Sequence, residues 1–482
     1  MKETLFDPIY RGTAYLRSKL GGFSWGPARA VAKPAVLSLF SSVKVGSILL
    51  IDEPAHQRYH FGQKHRKKSN WNILDKAAGQ ADLACPTCAA RESTTVSHVE
   101  LVVKSDSFWT RLFLFADMGF AEAYMLGEVE CTDLTAFFKL FILNRDRLGN
   151  GTTWSSVITN AVLRLARSTN TMSNSLLNTS SHYDISNDMF AAFLSPDMTY
   201  SCPIWQPLQP GVKVRETLEQ AQMKKLHRFI EGARIKATDH VLEIGSGWGS
   251  FAIEAVRMTG CRVTTLTLSR EQKALAEKRI AEAWCSNRIQ VLLADYRELP
   301  VPETLYDKII SIEMLEAVGR EYLGTYFSCV NRLLKREGGI AMFQCITMPE
   351  GRHEAYSRTE DFINHYIFPG GYLPSITQLL NHITTESKGT LIVEKVENIG
   401  GHYARALRLW RERFLATFNS TIRPALKKEH PDMGEEEIEV FRRKWEYYFS
   451  YSEAGFLTKT LGDVIITVGR EGAKELMEDI PV

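Results

Sequence analysis

The chain has 482 residues, 44% hydrophobic and 24% charged, a composition that excludes a fibrous or disordered polymer and a length that exceeds one ordinary core. Lysine and arginine total 58 against 56 acidic residues, a formal net charge of +2, so a nucleic-acid footprint over the whole molecule is excluded and any cationic surface is local. No stretch reaches the roughly 18 to 20 uninterrupted apolar residues of a membrane-spanning helix, so any work on lipid is expected from the surface.

Between Asp7 and Asp52 there is no acidic residue, while Arg11, Arg17, Lys19, Arg29, Lys33 and Lys44 are present. This predicts a basic helical arm interrupted at Pro27 and Pro34, with a mitochondrial transit peptide as the alternative. The chain does not open on a compact apolar segment with a small-residue cleavage site, so a cytoplasmic location is expected. Next come short apolar runs at 45–51 and 99–103 and helical stretches at 108–124 and Leu134–Leu143, which predict a small α+β domain over residues 1–148. The run Lys64-His65-Arg66-Lys67-Lys68 reads as a solvated loop or as a contact for anionic headgroups. The cysteines are scattered, which predicts reduced thiols, and Cys85 and Cys88 lack the second pair that a structural metal site needs, so no metal is expected. Residues 149–180 are rich in Asn, Ser and Thr and read as a linker, with one helical patch at 157–165.

Residues 181–482 form the predicted second domain. From Asp239 short β-rich runs alternate with amphipathic helices: 241–244, then a helix at 250–258; 262–268, then a helix at 271–284; then Ile289–Leu293, Lys308–Ile312 and 340–345. Such alternation builds a doubly wound parallel sheet, with ligands at the carboxyl ends of its strands near the switch in strand order.

The first of these strands runs into Glu243-Ile244-Gly245-Ser246-Gly247-Trp248-Gly249. Glycines there let the backbone turn sharply and approach a ligand, so a nucleotide site is expected. Ser250 stands where a dinucleotide fingerprint wants its third glycine, and Thr265-Leu266-Thr267-Leu268-Ser269 offers no ribose-binding acid. NAD is therefore disfavoured. An E-x-G-x-G-x-G turn resembles that of the S-adenosylmethionine-dependent methyltransferase fold, a Rossmann-like α/β sheet.

Further segments match in order and spacing: His182-Tyr183-Asp184, residues 198–202 (Met-Thr-Tyr-Ser-Cys), Leu266-Thr267-Leu268-Ser269 with Gln272, Glu313-Met314-Leu315-Glu316, and Tyr366-Ile367-Phe368-Pro369-Gly370-Gly371 with Leu373-Pro374-Ser375. Together they resemble the cyclopropane-fatty-acyl-phospholipid synthase and mycolic acid cyclopropane synthase family. Residues 119–124 (Gly-Phe-Ala-Glu-Ala-Tyr) are similar to that family's smaller N-terminal domain.

The resemblance implies methylene transfer from S-adenosylmethionine to a cis double bond in a phospholipid acyl chain. An isolated alkene is a neutral, weak nucleophile, so attack on a sulfonium methyl needs a dry, aligned arrangement, and ring closure then needs a base beside the new methyl. In the family that base is thought to be a bound bicarbonate. By motif position its holders are Cys202, Glu316, the backbone around Ile346, and Tyr403. Gln344 stands where the bacterial enzymes carry histidine; an amide donates to an anion but shuttles no proton, and this form resembles the family's eukaryotic branch. Cofactor contacts carried over are Tyr200, Ser201, Gly245, Gly247, Thr267 and Gln272, with Asp295 and Tyr296 near the adenine.

Plainer readings accompany these. Cys202 also reads as an ordinary buried cysteine, Glu316 as a helix cap and Tyr403 as a core tyrosine. His182 is expected to bond the cofactor loop and His402 to be an incidental neighbour. Trp205, Tyr366, Phe368 and Tyr372 wall an acyl tunnel or are core. The smaller domain is expected to dock on bilayers or to make a homodimer. Two other functions fit the same residues: C-methylation giving methyl-branched lipids or sphingolipids, and a catalytically silent lipid-binding relative.

Overall fold

The structure, a computed structural model, describes residues 26–63, 98–148, 186–207, 216–478 and 480–481. The basic run at 64–68, Cys85 and Cys88, the patch at 157–165 and His182-Tyr183-Asp184 lie outside them. The chain divides into two compact units, Met1–Leu177 and Asn178–Val482.

In the first unit β1 (Ser47–Asp52), β2 (Gln57–Gly62), β3 (His98–Val103) and β4 (Val129–Cys131) form one sheet in the order β2-β1-β3-β4. β1 pairs antiparallel with β2 and parallel with β3, which in turn pairs antiparallel with β4. Buried positions alternate along β3, as a strand with one covered face requires. The helix Gly26–Ser41 runs through Pro34, so that proline does not end it. The stretch read as one helix at 108–124 is instead two, because Ala116 within Ser107–Met125 leaves helical geometry at φ 51° and ψ −124°. Leu134–Leu143 begins at Asp133, whose carboxylate accepts from the Ala136 N–H, a cap that satisfies one of the free donors of the first turn. Phe120 stacks on Phe137 at 4.3 Å, and Phe40 meets Phe141 edge-on at 6.1 Å, closing the core.

In the second unit seven strands follow: β5 (His240–Ile244), β6 (Arg262–Thr267), β7 (Ile289–Leu293), β8 (Lys308–Ile312), β9 (Ile340–Thr347), β10 (Ile392–Asn398) and β11 (Gly462–Gly469). Their order is β10-β11-β9-β8-β5-β6-β7. β9, β8, β5, β6 and β7 are parallel. β11 enters antiparallel between β9 and β10, an addition that the β/α alternation did not predict. The parallel strands and their helices bury one core, with Leu242, Ile309, Phe327, Phe343 and Val464 at its centre. The helix predicted to reach Trp284 stops at Glu282, and Trp284, at φ 60°, turns the chain out of it.

Strand order reverses at β5, which has β6 on one side and β8 on the other. The crevice at a doubly wound sheet's switch point opens beyond the carboxyl ends of these strands. Several site residues reach that edge from different strands: the glycine turn from β5, Glu313 and Glu316 from β8, Gln344 and Ile346 from β9, and Asp463 from the start of antiparallel β11, opposite Ile346.

Among the described residues no helix is long and apolar enough to cross a membrane.

Candidate active site

At the end of β5, Gly245 has φ +100° and Gly247 φ +47°, backbone shapes that side chains with a Cβ adopt at a cost. The Gly245 and Ser246 N–H groups donate to the Leu266 carbonyl at 3.1 and 2.7 Å, which pins the turn to the end of β6. A Cβ on Gly245 would lie 3.2 Å from the Met314 side chain, whereas nothing stands within 4 Å of one on Gly247. The turn is thus a cradle with open space on one side, and it fits a nucleotide approaching the backbone. Around it Thr267 donates its hydroxyl to Gln272 Oε1 at 2.8 Å. Asp295 holds Arg297 through both carboxylate oxygens, at 2.9 and 2.5 Å, and Tyr296 lies edge-on to Tyr326 at 5.1 Å. Glu243, inside the strand, accepts from the Thr265 hydroxyl at 2.5 Å, and burial pushes its carboxyl up to about 8.

Beside this cradle the structure brings together Cys202, Glu316, Gln344, Ile346 and Tyr403, but the centre of the group is Glu313. Its Oε1 accepts from the Cys202 N–H at 2.7 Å and from Gln344 Nε2 at 2.6 Å. Its Oε2 accepts from the Tyr403 hydroxyl at 2.8 Å. The backbone is bent to allow this: Glu313 sits at φ +46°, unusual outside glycine and a form of strain that gathers at functional sites.

Glu316 stands apart from that node. Its Oε1 accepts from the Ile346 N–H at 2.5 Å, while its buried Oε2 has no hydrogen-bond partner. Burial, and then the neighbouring Glu313 charge, push its carboxyl up to about 8, so it is neutral at neutral pH. Asp463 accepts from Gln344 Nε2 at 3.0 Å and is raised well above the usual carboxylate range by burial and by Glu313. The donors that the resemblance assigned to a bicarbonate therefore point at carboxylates of the chain itself: the Cys202 N–H and the Tyr403 hydroxyl at Glu313, the Ile346 N–H at Glu316. The residues present do not fit a second anion held by the same three donors.

Cys202 is fully buried; burial raises its thiol, and it contributes its backbone N–H rather than a thiolate. Tyr403 opens the helix Tyr403–Thr417, packs its ring on Phe456 at 4.7 Å, and stays protonated because burial and Glu313 both disfavour the phenolate. It is thus both a core ring and a donor. His402 bonds Trp205 instead: its Nδ1 accepts from the Trp205 N–H at 3.1 Å and its carbonyl from the Trp205 indole at 2.9 Å.

Several residues of this site were absent from the sequence reading. Lys225, fully buried on the helix Leu218–Gly232, donates to the Ser201 hydroxyl at 2.5 Å. Burial lowers its ammonium, and the field of Glu313 opposes that shift. On the same helix Gln222 donates to the Ser201 carbonyl at 2.8 Å. Tyr448 shares a 2.8 Å hydrogen bond with the Tyr200 hydroxyl. A lysine on an apolar helical face was the available signal for the first. Glu313 was visible within Glu313-Met314-Leu315-Glu316 but carried no assigned role. Nothing local marks Asp463.

Tyr200 and Tyr448, like Tyr403, stand near Glu313. Tyr200 lies 5.0 Å from Trp410, and Phe368, 39% exposed, meets Tyr448 edge-on at 5.9 Å. Trp205 is buried, with Arg405 over its ring at 3.9 Å. Tyr366 and Tyr372 are also buried, the latter donating its hydroxyl to Gln378 at 2.9 Å. Among the described residues no group of acids, histidines and cysteines is arranged to hold a metal ion.

Comparison with known proteins shows which family the chain belongs to. A family model described as mycolic acid cyclopropane synthetase matches residues 170–465. The chain belongs to this family. A tuberculostearic acid methyltransferase of Mycobacterium tuberculosis is 38% identical over 372 residues, covering 77% of this chain and 82% of that relative. The cyclopropane-fatty-acyl-phospholipid synthase of Escherichia coli is 32% identical over 367 residues, covering 75% and 85%. Among solved structures, the cyclopropane synthase MmaA2 from Mycobacterium tuberculosis superposes with a TM-score of 0.51 at 26% identity, over 61% of this chain and 98% of that one. The mycolic acid cyclopropane synthase CmaA1, complexed with SAH and CTAB, gives 0.51 at 28% over the same shares. This member of the mycolic acid cyclopropane synthetase family is an S-adenosylmethionine-dependent methyltransferase that acts on lipid.

Proposed function

We propose that the chain transfers a methylene unit to the cis double bond of unsaturated phospholipid acyl chains, giving cyclopropane acyl chains. The observation that carries this reading is a cluster of buried carboxyls, Glu313, Glu316 and Asp463, near the aromatic rings of Tyr200, Tyr403 and Tyr448 and beside the glycine turn. A hydrocarbon substrate offers no acidic group and no good nucleophile, so catalysis reduces to alignment in a dry site and removal of one proton from a cation.

In this reading Gly245 and Gly247 let the donor lie on the backbone, with Thr267, Gln272, Asp295, Tyr296, Tyr200 and Ser201 around it. Bound there, S-adenosylmethionine supplies an electrophilic sulfonium methyl. Cys202, Gln344 and Tyr403 fix the carboxylate of Glu313. Neutral Glu316 braces the Ile346 backbone, and the aromatic rings exclude water and face the developing positive charge. Gln344 is the feature on which assignment to the eukaryotic-type branch rests. Work from a membrane surface on the cytoplasmic side completes the reading, since the substrate is a lipid and no described helix spans a bilayer.

A second reading, methyl branching, is favoured by the 38% identity to a tuberculostearic acid methyltransferase. There the cation loses its proton elsewhere and no ring closes. Purified protein, vesicles of dioleoyl phospholipid and methyl-13C-labelled cofactor separate the two. Cyclopropanation places the label in ring carbons that NMR resolves far upfield, and branching places it in an alkyl methyl or a new alkene. Acyl chains that remain unlabelled would end both readings.

A further inference from the structure

We propose that Glu313 is the general base of the reaction, its carboxylate standing where the family resemblance puts a bicarbonate, so that this chain needs no added anion. The inference rests on the reading of the previous subsection and deepens it.

Three observations carry it. The first is convergence: the Cys202 N–H and the Tyr403 hydroxyl, two of the groups expected around the anion, both donate to Glu313, at 2.7 and 2.8 Å, and the Gln344 amide completes the set at 2.6 Å. A carboxylate offers the same two-oxygen acceptor edge as bicarbonate, and here it is tethered to the chain. The second is placement. Met314, the next residue, is what a Cβ on Gly245 would strike at 3.2 Å, so the loop carrying Glu313 abuts the cofactor turn. The third is strain: a glutamate at φ +46° is held where glycine would fit freely, and the side chain is what that geometry retains.

The neighbours decide which acid is ionised. Glu313 accepts from two N–H groups and a hydroxyl, whereas Glu316 accepts one short bond and leaves Oε2 without a partner, and Asp463 leaves Oδ1 so. Hydrogen bonds favour the charged form of the group that receives them, and acids close together in a dry site do not all ionise. Burial raises the Glu313 carboxyl too, but the hydrogen bonds it receives and the field of buried Lys225 oppose that rise, so of the three acids Glu313 is the one placed to carry the negative charge, while burial and the Glu313 charge keep the protons on Glu316 and Asp463.

The step balances as follows. Once the alkene has taken the methyl from the sulfonium, leaving a neutral thioether and a cationic acyl chain, one C–H bond of the added carbon breaks. Its electron pair forms the second bond of the ring and cancels the charge, and the proton goes to Glu313. It passes to solvent before the next turnover. In the branching reaction a C–H bond beside the cation breaks instead, and the same carboxylate receives the proton.

The experiment compares wild type with Glu313→Gln and Glu313→Gly. Wild-type turnover in buffer stripped of carbon dioxide should equal that with added bicarbonate, and apo-protein titrated with 13C-bicarbonate should show no binding by NMR. Glu313→Gln should bind S-adenosylmethionine as wild type does by calorimetry, which certifies its fold, yet lose about 10²- to 10⁴-fold in turnover. Glu313→Gly relieves the backbone and opens the donors, so its apo form should gain bicarbonate binding, and added bicarbonate should restore part of its activity. Wild-type turnover that collapses without bicarbonate, bicarbonate binding by wild-type apo-protein, or full activity in Glu313→Gln overturns the inference. Wild type that labels no lipid overturns the proposed function instead, and the bicarbonate titrations of the two apo-proteins still decide which anion the donors hold.

Discussion

Gln344 Nε2 lies 2.6 Å from Glu313 Oε1 and donates to it. The same nitrogen donates to Asp463 Oδ2 at 3.0 Å, so one amide ties two acids from different strands. Gln344→Leu keeps approximate volume and removes the donor. Leaving those buried acceptors short of a partner should lower stability by about 1–3 kcal/mol. Thermal unfolding measures it, and an unchanged midpoint would show that the amide bridges nothing that matters.

Tyr403→Phe keeps the ring on Phe456 and deletes the bond to Glu313 Oε2. A hydrogen bond to a charged group contributes about 1.5–3 kcal/mol, so kcat should fall about 10- to 100-fold. Cofactor affinity should hold. If calorimetry shows the affinity lost instead, the tyrosine belongs to the nucleotide side of the site.

Gly245→Ala should have the reverse signature. At φ +100° any Cβ is strained, and this one would press Met314 at 3.2 Å. The dissociation constant of S-adenosylmethionine should rise first, with kcat at saturating cofactor less affected. Equal affinities in variant and wild type would separate the turn from the cofactor.

Glu316 makes stability depend on pH in a fixed direction. Its carboxyl is raised from 4.5 to about 8 in the folded chain. Between those values the native state binds a proton that the unfolded state has lost, so stability is full below the window and declines as pH rises through it. Glu243, also raised to about 8, adds a slope of the same sign. Unfolding midpoints followed across the window should therefore fall for wild type and fall less for Glu316→Gln. Parallel curves would mean that Glu316 is ionised in the native state.

Asn144 is the hinge pin of the smaller unit. It is 3% exposed, its Oδ1 accepts from the Lys44 and Val45 N–H groups at 2.8 and 3.0 Å, and its Nδ2 donates to the Val45 and Leu140 carbonyls at 2.8 Å each. Asn144→Ala strands the Lys44 and Val45 N–H groups and the Val45 carbonyl, while the Leu140 carbonyl keeps the Asn144 backbone N–H, and should destabilise this unit by about 1–3 kcal/mol or more. Hydrogen exchange at Lys44 and Val45 reads the effect, and protection equal to wild type would contradict it.

The sheet was legible because parallel strands are buried on both faces and announce themselves as apolar runs, and the glycine turn because few residues tolerate positive φ. The motif order likewise led to Cys202, Glu316, Gln344 and Tyr403. What stayed hidden depends on pairing over long sequence separation. Asp463 meets Gln344 only because β11 runs antiparallel beside β9, and no periodicity encodes a strand's choice of neighbour. Glu313 and Glu316 lie in one tetrapeptide, and only the tight bend at Glu313 decides which of them meets the Tyr403 hydroxyl. Ala116 shows the same limit at smaller scale: its apolar neighbours keep the helical pattern while the backbone departs from it.

β11 follows every other strand in chain order yet lies inside the sheet, bonded on both sides. During synthesis on a ribosome, the growing polypeptide can assemble the nucleotide half of the crevice while a gap remains between β9 and β10. Asp463 and the second bond of Gln344 arrive only when that gap is filled. A polypeptide that has not yet made β11 thus holds Glu313 without the strand that ties its amide partner to a second acid.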